Sequence, residues 1–499
     1  MTASDETQTP RSSGQKRLTG RLGTGSIVFM VIAAAAPLTV IGGNVPIAVG
    51  AGNGAGAPVG FILAAVVLLV FAVGFVTMTP YVRDAGAFFS YAAAGMGPRA
   101  GLAAAFVALV AYTAIQVGVY GYLGWAFGGL VTFFGGPELH WGVYSFIALL
   151  LVAVLGYRHI DLSSRVLGVA LVAEIAVVVV LDSVVFATGG AEGIVWSTFA
   201  PENVFSPGLA VSVLFALTGF IGFEATAVFR DEARDPARTI PRATYLAVLI
   251  IGVFYAISCW ALVTGAGASG AVALAQATLA GDANMLIDLT GRYLGPIFQD
   301  IVQVLLVTSL FACVLSFHNV IARYQFTLAG RGVLPRRLAS VHGAHHSPAF
   351  SSVVQSVTAA ILVGAFAVFD VDPLIGVFGS MAGVATVGMV LLMLLTSVAV
   401  FVFFRRNARV RAGLIGRAVV APIAAVIGLA VSLWLVLSNF TLITGGSVEL
   451  SIVLALVPVA AGVLGALLGG RHRIGEIQIP DATPTGAIDK LEQEDNAAA

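Results

Sequence analysis

The sequence predicts an all-α polytopic membrane protein with about twelve transmembrane helices. Of its 499 residues, 59% are hydrophobic and 10% are charged, whereas a soluble globular chain carries about 25% charged residues. A helix needs about 20 apolar residues to cross the hydrocarbon core of a bilayer. Twelve runs satisfy or approach that length: 24–50, 58–79, 99–134, 141–157, 163–188, 204–229, 243–267, 293–319, 348–369, 373–403, 417–439 and 449–469.

The two ends of the chain differ in composition from the apolar body. Residues 1–20 and 471–499 are polar and charged, and we predict that they are disordered cytoplasmic tails. The apolar run 24–50 follows basic residues, but it is longer than the apolar core of a signal peptide, which has about 7–15 residues. We therefore interpret it as a retained first helix of a transmembrane domain at 21–470, with no soluble domain.

Basic residues fall on one side of this twelve-helix arrangement. Lys and Arg in short loops mark the cytoplasmic side of a membrane protein. Of the 25 Lys and Arg residues, only Arg292 lies on the opposite side. If one transmembrane span too many or too few were assigned in the middle of the chain, the basic residues would fall on both sides of the membrane. The charges therefore predict a multi-pass protein of the cytoplasmic membrane with both termini in the cytoplasm.

Glycine and proline interrupt two of the predicted spans. The first contains Pro37 followed by Gly42 and Gly43, and the sixth contains Gly219 and Gly222. Interrupted spans in matching positions of two halves indicate an inverted repeat with its binding site at the interruptions. Five helices separate the two starts, and an odd number makes the second copy enter the membrane from the other side. Gly and Pro are also frequent in ordinary transmembrane helices, which is the alternative.

The motif around the second interruption resembles a known family. Residues 218–224 read Thr-Gly-Phe-Ile-Gly-Phe-Glu, and residues 235–242 read Asp-Pro-Ala-Arg-Thr-Ile-Pro-Arg. This resembles the sixth transmembrane segment and following loop of the amino acid-polyamine-organocation (APC) permeases, which typically read Phe-x-Gly-Phe-Glu and then Asn/Asp-Pro-x-Arg-x-Ile-Pro-Arg. The resemblance covers about residues 20–470.

The resemblance implies a five-plus-five inverted repeat of the LeuT type with broken helices 1 and 6. The first repeat covers about residues 24–188 and the second about 204–403, and two C-terminal helices occupy about 417–469. It also implies a secondary active transporter of an amino acid or related amine, with proton-coupled symport as the main expectation. The alternatives are an amino acid or amine exchanger and a polyamine uptake system.

Site residues follow from the resemblance at the two interruptions. Backbone groups of the first helix are expected at the substrate carboxylate, although this chain lacks the usual Gly-Ser/Thr-Gly stretch there. Carbonyl groups of the sixth helix are expected at the substrate ammonium, with two phenylalanines as lid and wall unless they are plain core. The expected binding residues are Ala36, Pro37, Leu38, Thr39, Thr218, Gly219, Phe220, Ile221, Gly222 and Phe223.

Polar residues of the third span could add to the pathway. Tyr112 and Gln116 are four residues apart and share one helix face. We expect both to bind substrate. A tyrosine stripe near a helix end can instead belong to an interfacial belt, but position 112 is too deep in the span for that.

Two carboxylates inside spans are candidates for ion coupling. A carboxylate at membrane depth costs about 2.5–3.5 kcal/mol on insertion scales and is a functional candidate by default. Glu224 ends the sixth-helix motif, and Glu174 lies in the middle of the fifth span. In several proton-coupled relatives the place of Glu174 holds a lysine, which stands in for the sodium ion of sodium-driven members. Ser309 and Ser316 of the eighth span are its expected partners, and a purely structural role is the alternative for both carboxylates.

Other function classes find little support in the sequence. No Gly-x-x-x-x-Gly-Lys-Ser/Thr motif is present, so ATP is not expected as the direct energy source. We expect no cofactor, no metal site and no nucleic-acid partner; the partners are a small molecule, a proton or cation gradient and the bilayer. A membrane enzyme is disfavoured because no nucleophile or metal constellation lies at membrane depth. A channel is the third option. It would let the substrate pass but would not accumulate it against a gradient, which distinguishes it from a transporter.

The charge pattern makes a topology prediction. Reporter fusions placed after Arg337 and after Lys490 should both give the cytoplasmic phenotype, since each residue lies on the basic side of the membrane. A fusion after Arg292 is the matched control and should give the opposite phenotype. An external signal at either of the first two sites would contradict the twelve-helix topology.

Overall fold

The computed structural model describes residues 22–82, 86–158, 164–341, 348–444 and 446–469. The predicted tails lie outside these residues. The described chain is helical throughout, and its one β-feature is an isolated bridge between Leu22 and Ala233.

The helices are numbered here in chain order, with residues 37–53 left as a separate segment of short α and π turns. They are α1 (Thr24–Ala35), α2 (Ala57–Met78), α3 (Ala87–Met96), α4 (Pro98–Phe133), α5 (Trp141–Arg158), α6 (Ser164–Thr188), α7 (Leu209–Thr218), α8 (Ala225–Val228), α9 (Pro236–Ala266), α10 (Gly270–Ala280), α11 (Met285–Leu294), α12 (Pro296–Gly330), α13 (Ala349–Val368), α14 (Ser380–Arg406), α15 (Ala421–Ser438) and α16 (Val448–Gly469). Short turns at Pro201–Val204, Ala408–Arg411 and Phe440–Thr444 connect some of them.

Ten helical stretches of the described chain are long and apolar enough to cross a membrane. This confirms the predicted all-α polytopic membrane protein. The structure thus has ten long apolar stretches instead of the predicted twelve spans, and two parts of the chain account for the difference. The first stretch, Thr24–Tyr81, is 58 residues long and contains both of the first two predicted spans. The sixth predicted run is interrupted, so that α7 contributes only 10 apolar residues.

Helix α4 lies at the centre of the packing. Most of its residues between 101 and 126 are buried, and it packs against α5, α12, α14 and α16. Large apolar side chains elsewhere point outward, for example Leu150, Val169 and Leu467, which are 65%, 71% and 68% exposed. Exposed apolar surface on this scale is typical of helices that face lipid.

Glycine lets α4 approach α5 closely. A Cβ on Gly124 would lie 2.5 Å from the carbonyl oxygen of Trp141 and would also overlap the Ser145 hydroxyl. Ser145 donates a 2.7 Å hydrogen bond to the carbonyl of Tyr120. Small residues of this kind allow close backbone contact between membrane helices, and hydroxyl groups add hydrogen bonds across the interface.

This contact predicts a position-specific effect on stability. Gly124→Ala should lower the melting temperature of the purified protein, because overpacking a close contact costs about 1–3 kcal/mol. Gly129→Ala on the same helix is the matched control, since nothing lies within 4 Å of its Cβ position. The control should be neutral or slightly stabilising, because Ala in a helix is favoured over Gly by about 0.5–1 kcal/mol. Equal melting temperatures for the two variants would contradict this packing.

Candidate functional site: two helix interruptions and two buried carboxylates

The first interruption is centred on Ala36. This residue is in the left-handed conformation, with φ 47° and ψ 75°, and ends α1. Pro37 begins the next helical turn, where its fixed φ suits a first helical position and its missing N–H breaks no bond. The carbonyl of Ala35 accepts a 3.2 Å hydrogen bond from the Tyr255 hydroxyl of α9. The freed backbone group therefore has a partner from a neighbouring helix.

The second interruption lies between α7 and α8. Residues 219–224 form turns instead of a regular helix, and Gly222 has φ +110°, a conformation that side chains with a Cβ rarely adopt. The carboxylate of Glu224 accepts a 3.0 Å hydrogen bond from the Gly222 N–H and another from the Tyr112 hydroxyl. Among the described residues, the carbonyl groups of Gly219 and Ile221 accept no hydrogen bond. This interruption thus leaves acceptors available within the protein.

The segment after the first interruption and the helix before the second are joined by hydrogen bonds. Asn44 Nδ2 donates to the Phe215 carbonyl at 2.8 Å. Ser212 Oγ lies within hydrogen-bonding distance of two acceptors, the Ala48 carbonyl at 2.8 Å and Asn53 Oδ1 at 2.5 Å. Segment 37–53 and α7 therefore form one packed unit.

Glu174 of α6 lies against the first interruption and against α12. Its side chain is 4% exposed and accepts a 2.8 Å hydrogen bond from Ser309 Oγ. The backbone N–H of Leu38 is a second hydrogen-bonding neighbour of this carboxylate. Leu38 is in the first turn after the interruption, where free amide groups attract negative charge. Glu174 thus links three elements around the break.

Two cavities meet on one side of the interruptions. The smaller has a volume of about 280 Å³ and contains Tyr112, Gly222 and Glu224 in its wall. The larger, of about 700 Å³, contains Glu174 and Ser309. The residues that line both cavities are Ala34, Ala225, Phe229, Ser316, Val320 and Arg323. These shared residues show that the cavities next to the two carboxylates are adjacent.

A third cavity lies beyond the other side of the interruptions. It has a volume of about 620 Å³ and is lined by residues of α4, α11 and the loops near Glu138 and Asp282. Below it, the rings of Tyr122 and Phe378 pack with centroids 5.4 Å apart. A Cβ on Gly43 would lie 2.7 Å from Tyr122 and 3.2 Å from Phe378. Tyr122, Phe378 and Gly43 therefore form a tightly packed layer next to Trp125, which lines the third cavity.

Several predicted site residues lie away from the cavity walls described above. Phe220 packs edge-to-face on Tyr255 with centroids 6.2 Å apart, and Phe223 packs on Phe71 with centroids 6.0 Å apart. Both phenylalanine rings are almost completely buried among helices. In this conformation they occupy the position of core side chains, so their contact with substrate stays a prediction.

The remaining predicted polar residues differ in their hydrogen bonding. Gln116 Nε2 donates to the Val314 carbonyl at 3.1 Å, and its Oε1 accepts from Gln355 Nε2 at 2.7 Å. Thr218 Oγ1 lies 2.5 Å from Thr386 Oγ1. The hydroxyl of Thr39 is buried and has no hydrogen-bond partner among the described residues. Of the three predicted residues, only Thr39 therefore has a polar group without a partner in the protein.

Sequence reasoning missed several residues that hold the site together. Tyr255, Asn44 and Gln355 lie in ordinary apolar or small-residue stretches, and nothing in those stretches indicates a partner elsewhere in the chain. Asp182 is different, because a carboxylate within an apolar run is itself a signal. Groups of three or more His, Cys, Asp or Glu side chains that could hold a metal ion do not occur among the described residues.

These features define a class of protein: a polytopic membrane transporter with discontinuous helices at its centre. A family model described as amino acid permease matches residues 22–463, and the chain belongs to this family. This confirms the resemblance to APC permeases. Membership of the family supports transport of amino acids or related compounds, as opposed to an enzymatic activity.

Individual relatives agree with this assignment. The chain is 25% identical over 359 residues to the branched-chain amino acid permease BcaP of Bacillus subtilis, which covers 68% of this chain and 73% of the relative. It is 32% identical over 193 residues to an uncharacterized transporter of Mycobacterium tuberculosis, covering 37% of this chain and 41% of the relative. It is 20% identical over 292 residues to the methylthioribose transporter of Bacillus subtilis, covering 58% of each chain.

The second interruption predicts a conformational effect at Gly222. Gly222→Ala should weaken substrate binding about five- to a hundredfold, because a residue forced into a rare backbone conformation costs about 1–3 kcal/mol. Space is not the reason, since a Cβ there would meet Ala34 at an ordinary 3.6 Å. Substrate binding by the purified protein is the measurement.

Gly332→Ala is the matched control for this prediction. Gly332 also has a positive φ, 75°, and nothing lies within 4 Å of its Cβ position. It belongs to the turn after α12, outside both interruptions, so the control should bind substrate normally. Normal binding by the Gly222 variant would remove this interruption from the binding site.

Proposed function

We propose that the protein is a secondary active transporter that carries an amino acid across the cytoplasmic membrane together with a proton. Twelve spans in a five-plus-five inverted repeat, with both termini cytoplasmic, are part of this proposal. The ten long stretches become twelve if Thr24–Tyr81 holds two spans and residues 209–228 form one interrupted span. The basic residues on one side of the sequence support the same count.

The observation that carries the proposal is the complementary chemistry of the two interruptions. The first presents the amide of Thr39 in the first turn of a helical segment, a favourable place for a carboxylate, beside the Leu38 amide that is hydrogen-bonded to Glu174. The second presents the carbonyl groups of Gly219 and Ile221, which suit an ammonium group. A zwitterionic amino acid has one group for each interruption.

The lining of the smaller cavity favours an apolar substrate side chain. Phe317, Val320 and Leu328 contribute to its wall beside Glu224. The relative BcaP is named as a branched-chain amino acid permease, which supports leucine, isoleucine or valine as the substrate class. A polyamine would be expected to need more acidic groups than Glu174 and Glu224. Exchange of amino acids or amines, and uptake of polyamines, are the alternatives.

The substrate proposal can be tested by uptake into proteoliposomes. Labelled leucine should accumulate against its gradient when the external solution is acidic relative to the lumen, and isoleucine and valine should compete. Spermidine and methylthioribose are the comparison compounds. Competition by spermidine but not by isoleucine or valine would favour the polyamine alternative. Leucine entry without accumulation would favour a channel, and entry that requires internal amino acid would favour an exchanger.

Glu174 is the proposed proton carrier, because it borders the larger cavity and also contacts Ser309 and the first interruption. A proton can drive transport only if its binding favours one conformation over the other. Protonation would weaken the hydrogen bonds that the Glu174 carboxylate accepts from the Leu38 N–H and the Ser309 hydroxyl. It would thereby change the contacts between α6, α12 and the first interruption.

This role predicts a specific defect in Glu174→Gln. The variant should lose accumulation driven by a pH gradient but keep exchange of external for internal substrate, since the glutamine resembles the neutral form permanently. Ser356→Ala is a control in which a serine of α13 loses a hydrogen bond to its own helix, and it should behave like the wild type. Accumulation by Glu174→Gln with an unchanged pH profile would show that the proton travels elsewhere, with Glu224 the next residue to test.

A further inference from the structure

A second buried carboxylate lies on the same helix as Glu174. Asp182 is eight residues farther along α6 and 6% exposed. Its Oδ2 accepts a 2.7 Å hydrogen bond from Ser258 Oγ of α9, whereas its buried Oδ1 has no hydrogen-bond partner among the described residues. A buried carboxylate oxygen without a partner is costly, and in a membrane span such a group is a functional candidate.

The two carboxylates lie at different depths of α6 and are rotated by about 80° from each other around the helix axis. Eight residues are slightly more than two helical turns and correspond to about 12 Å along the axis. Glu174 lines the larger cavity, which extends to Arg323, while Asp182 lines neither of the two adjacent cavities. Asp182 lies between Glu174 and the end of α6 at Thr188. In the topology predicted from the basic residues, the end of α6 at Thr188 faces the outside, so Asp182 is nearer the outer surface than Glu174.

Helix α9 packs against α6 and brings polar groups near both carboxylates. Cys259 is close enough to Asp182, and Tyr255 close enough to Glu174, for an electrostatic interaction. Tyr255, Ser258 and Cys259 share one face of α9, because they are three and four residues apart. The hydroxyl of Tyr255 also contacts the Ala35 carbonyl at the first interruption. One face of α9 therefore carries hydroxyl groups that contact Asp182 at one end and the first interruption at the other.

Few other ionisable groups approach this part of α6. The described residues of α1 and of segment 37–53 contain none. The ionisable residues on the helices that pack against α6 are Arg238, Arg242, Tyr245, Tyr255 and Cys259 of α9, Asp300, Cys313, His318, Arg323 and Tyr324 of α12, and Asp288, Arg292 and Tyr293 of α11.

We propose that Asp182 is the outer station of the proton path to Glu174, a role that rests on the proton coupling proposed above. Asp182 takes a proton from the outer solution and passes it through the Ser258 and Tyr255 hydroxyls, with water between them, to the Glu174 carboxylate. Each hydroxyl accepts one proton and releases its own. Glu174 then releases a proton into the larger cavity, and Asp182, now a carboxylate, takes the next one. Only O–H bonds form and break, and every proton is replaced.

A residue that only relays protons affects the rate of substrate uptake. The residue that couples proton to substrate movement affects the final substrate gradient. In proteoliposomes, Asp182→Asn should lower the initial rate of uptake driven by a pH gradient about tenfold or more, since a positioned acid–base group contributes about 10²–10⁴-fold to the proton transfer it assists. The final accumulation ratio should be that of the wild type, because the number of protons per substrate is unchanged. Exchange should also be unchanged, since the proton need not be released.

Two control variants make the test specific. Glu202→Gln removes an exposed carboxylate from the loop that follows α6 and should leave the initial rate unchanged. Ser258→Ala keeps the Asp182 carboxylate but removes its hydrogen-bond donor, so it should alter the external-pH profile of the initial rate while exchange stays normal. This second variant also decides the question if Asp182→Asn does not fold.

Five experimental outcomes would contradict this proposal. An Asp182→Asn rate and external-pH profile equal to those of the wild type would overturn the role of Asp182, as would a wild-type profile for Ser258→Ala. Equal losses of uptake and exchange would overturn it in favour of a structural role. Loss of the final gradient in Asp182→Asn would make Asp182 the coupling residue itself and so overturn its role as a station. If the wild type shows no accumulation driven by a pH gradient, the proton coupling itself fails, and this proposal fails with it.

Discussion

Lipid offers no hydrogen-bond partner to a free backbone amide or carbonyl, and the centre of this protein depends on that constraint. Each interruption frees backbone groups, so each must be enclosed by side chains from other helices. Tyr255 contacts the first interruption, and Tyr112 and Glu224 stabilise the second. The surrounding helices are positioned by these contacts as well as by apolar packing. The groups that remain available at the interruptions are those proposed to bind a zwitterion.

The same constraint links binding to conformational change. Segment 37–53 and α7 are tied together by Asn44, Ser212 and Asn53, whereas the other side of the interruptions borders two adjacent cavities. Glu174 connects α6 and α12 to the first interruption through groups that respond to its protonation. A proton at this position would therefore alter contacts between elements that have to move relative to each other during transport.

The sequence predicted the class of fold well, because hydropathy and loop charge depend only on local composition. Pro37 and Gly222 also located both interruptions, since their backbone restrictions are local properties. The roles of individual side chains were harder to predict. Phe220 and Phe223 follow the glycine of a motif yet pack on Tyr255 and Phe71, and that choice depends on which helices happen to be adjacent. Gln116 similarly finds its partner 239 residues away in the chain.

The central claim is that substrate binds where the two interruptions meet. A cryo-electron microscopy structure of the protein with leucine in lipid nanodiscs tests it most directly. The account predicts density for the carboxylate at the amide of Thr39, and density for the ammonium at the carbonyl groups of Gly219 and Ile221. Substrate density confined to the cavity near Glu138 and Asp282, with the interruptions empty, would contradict it.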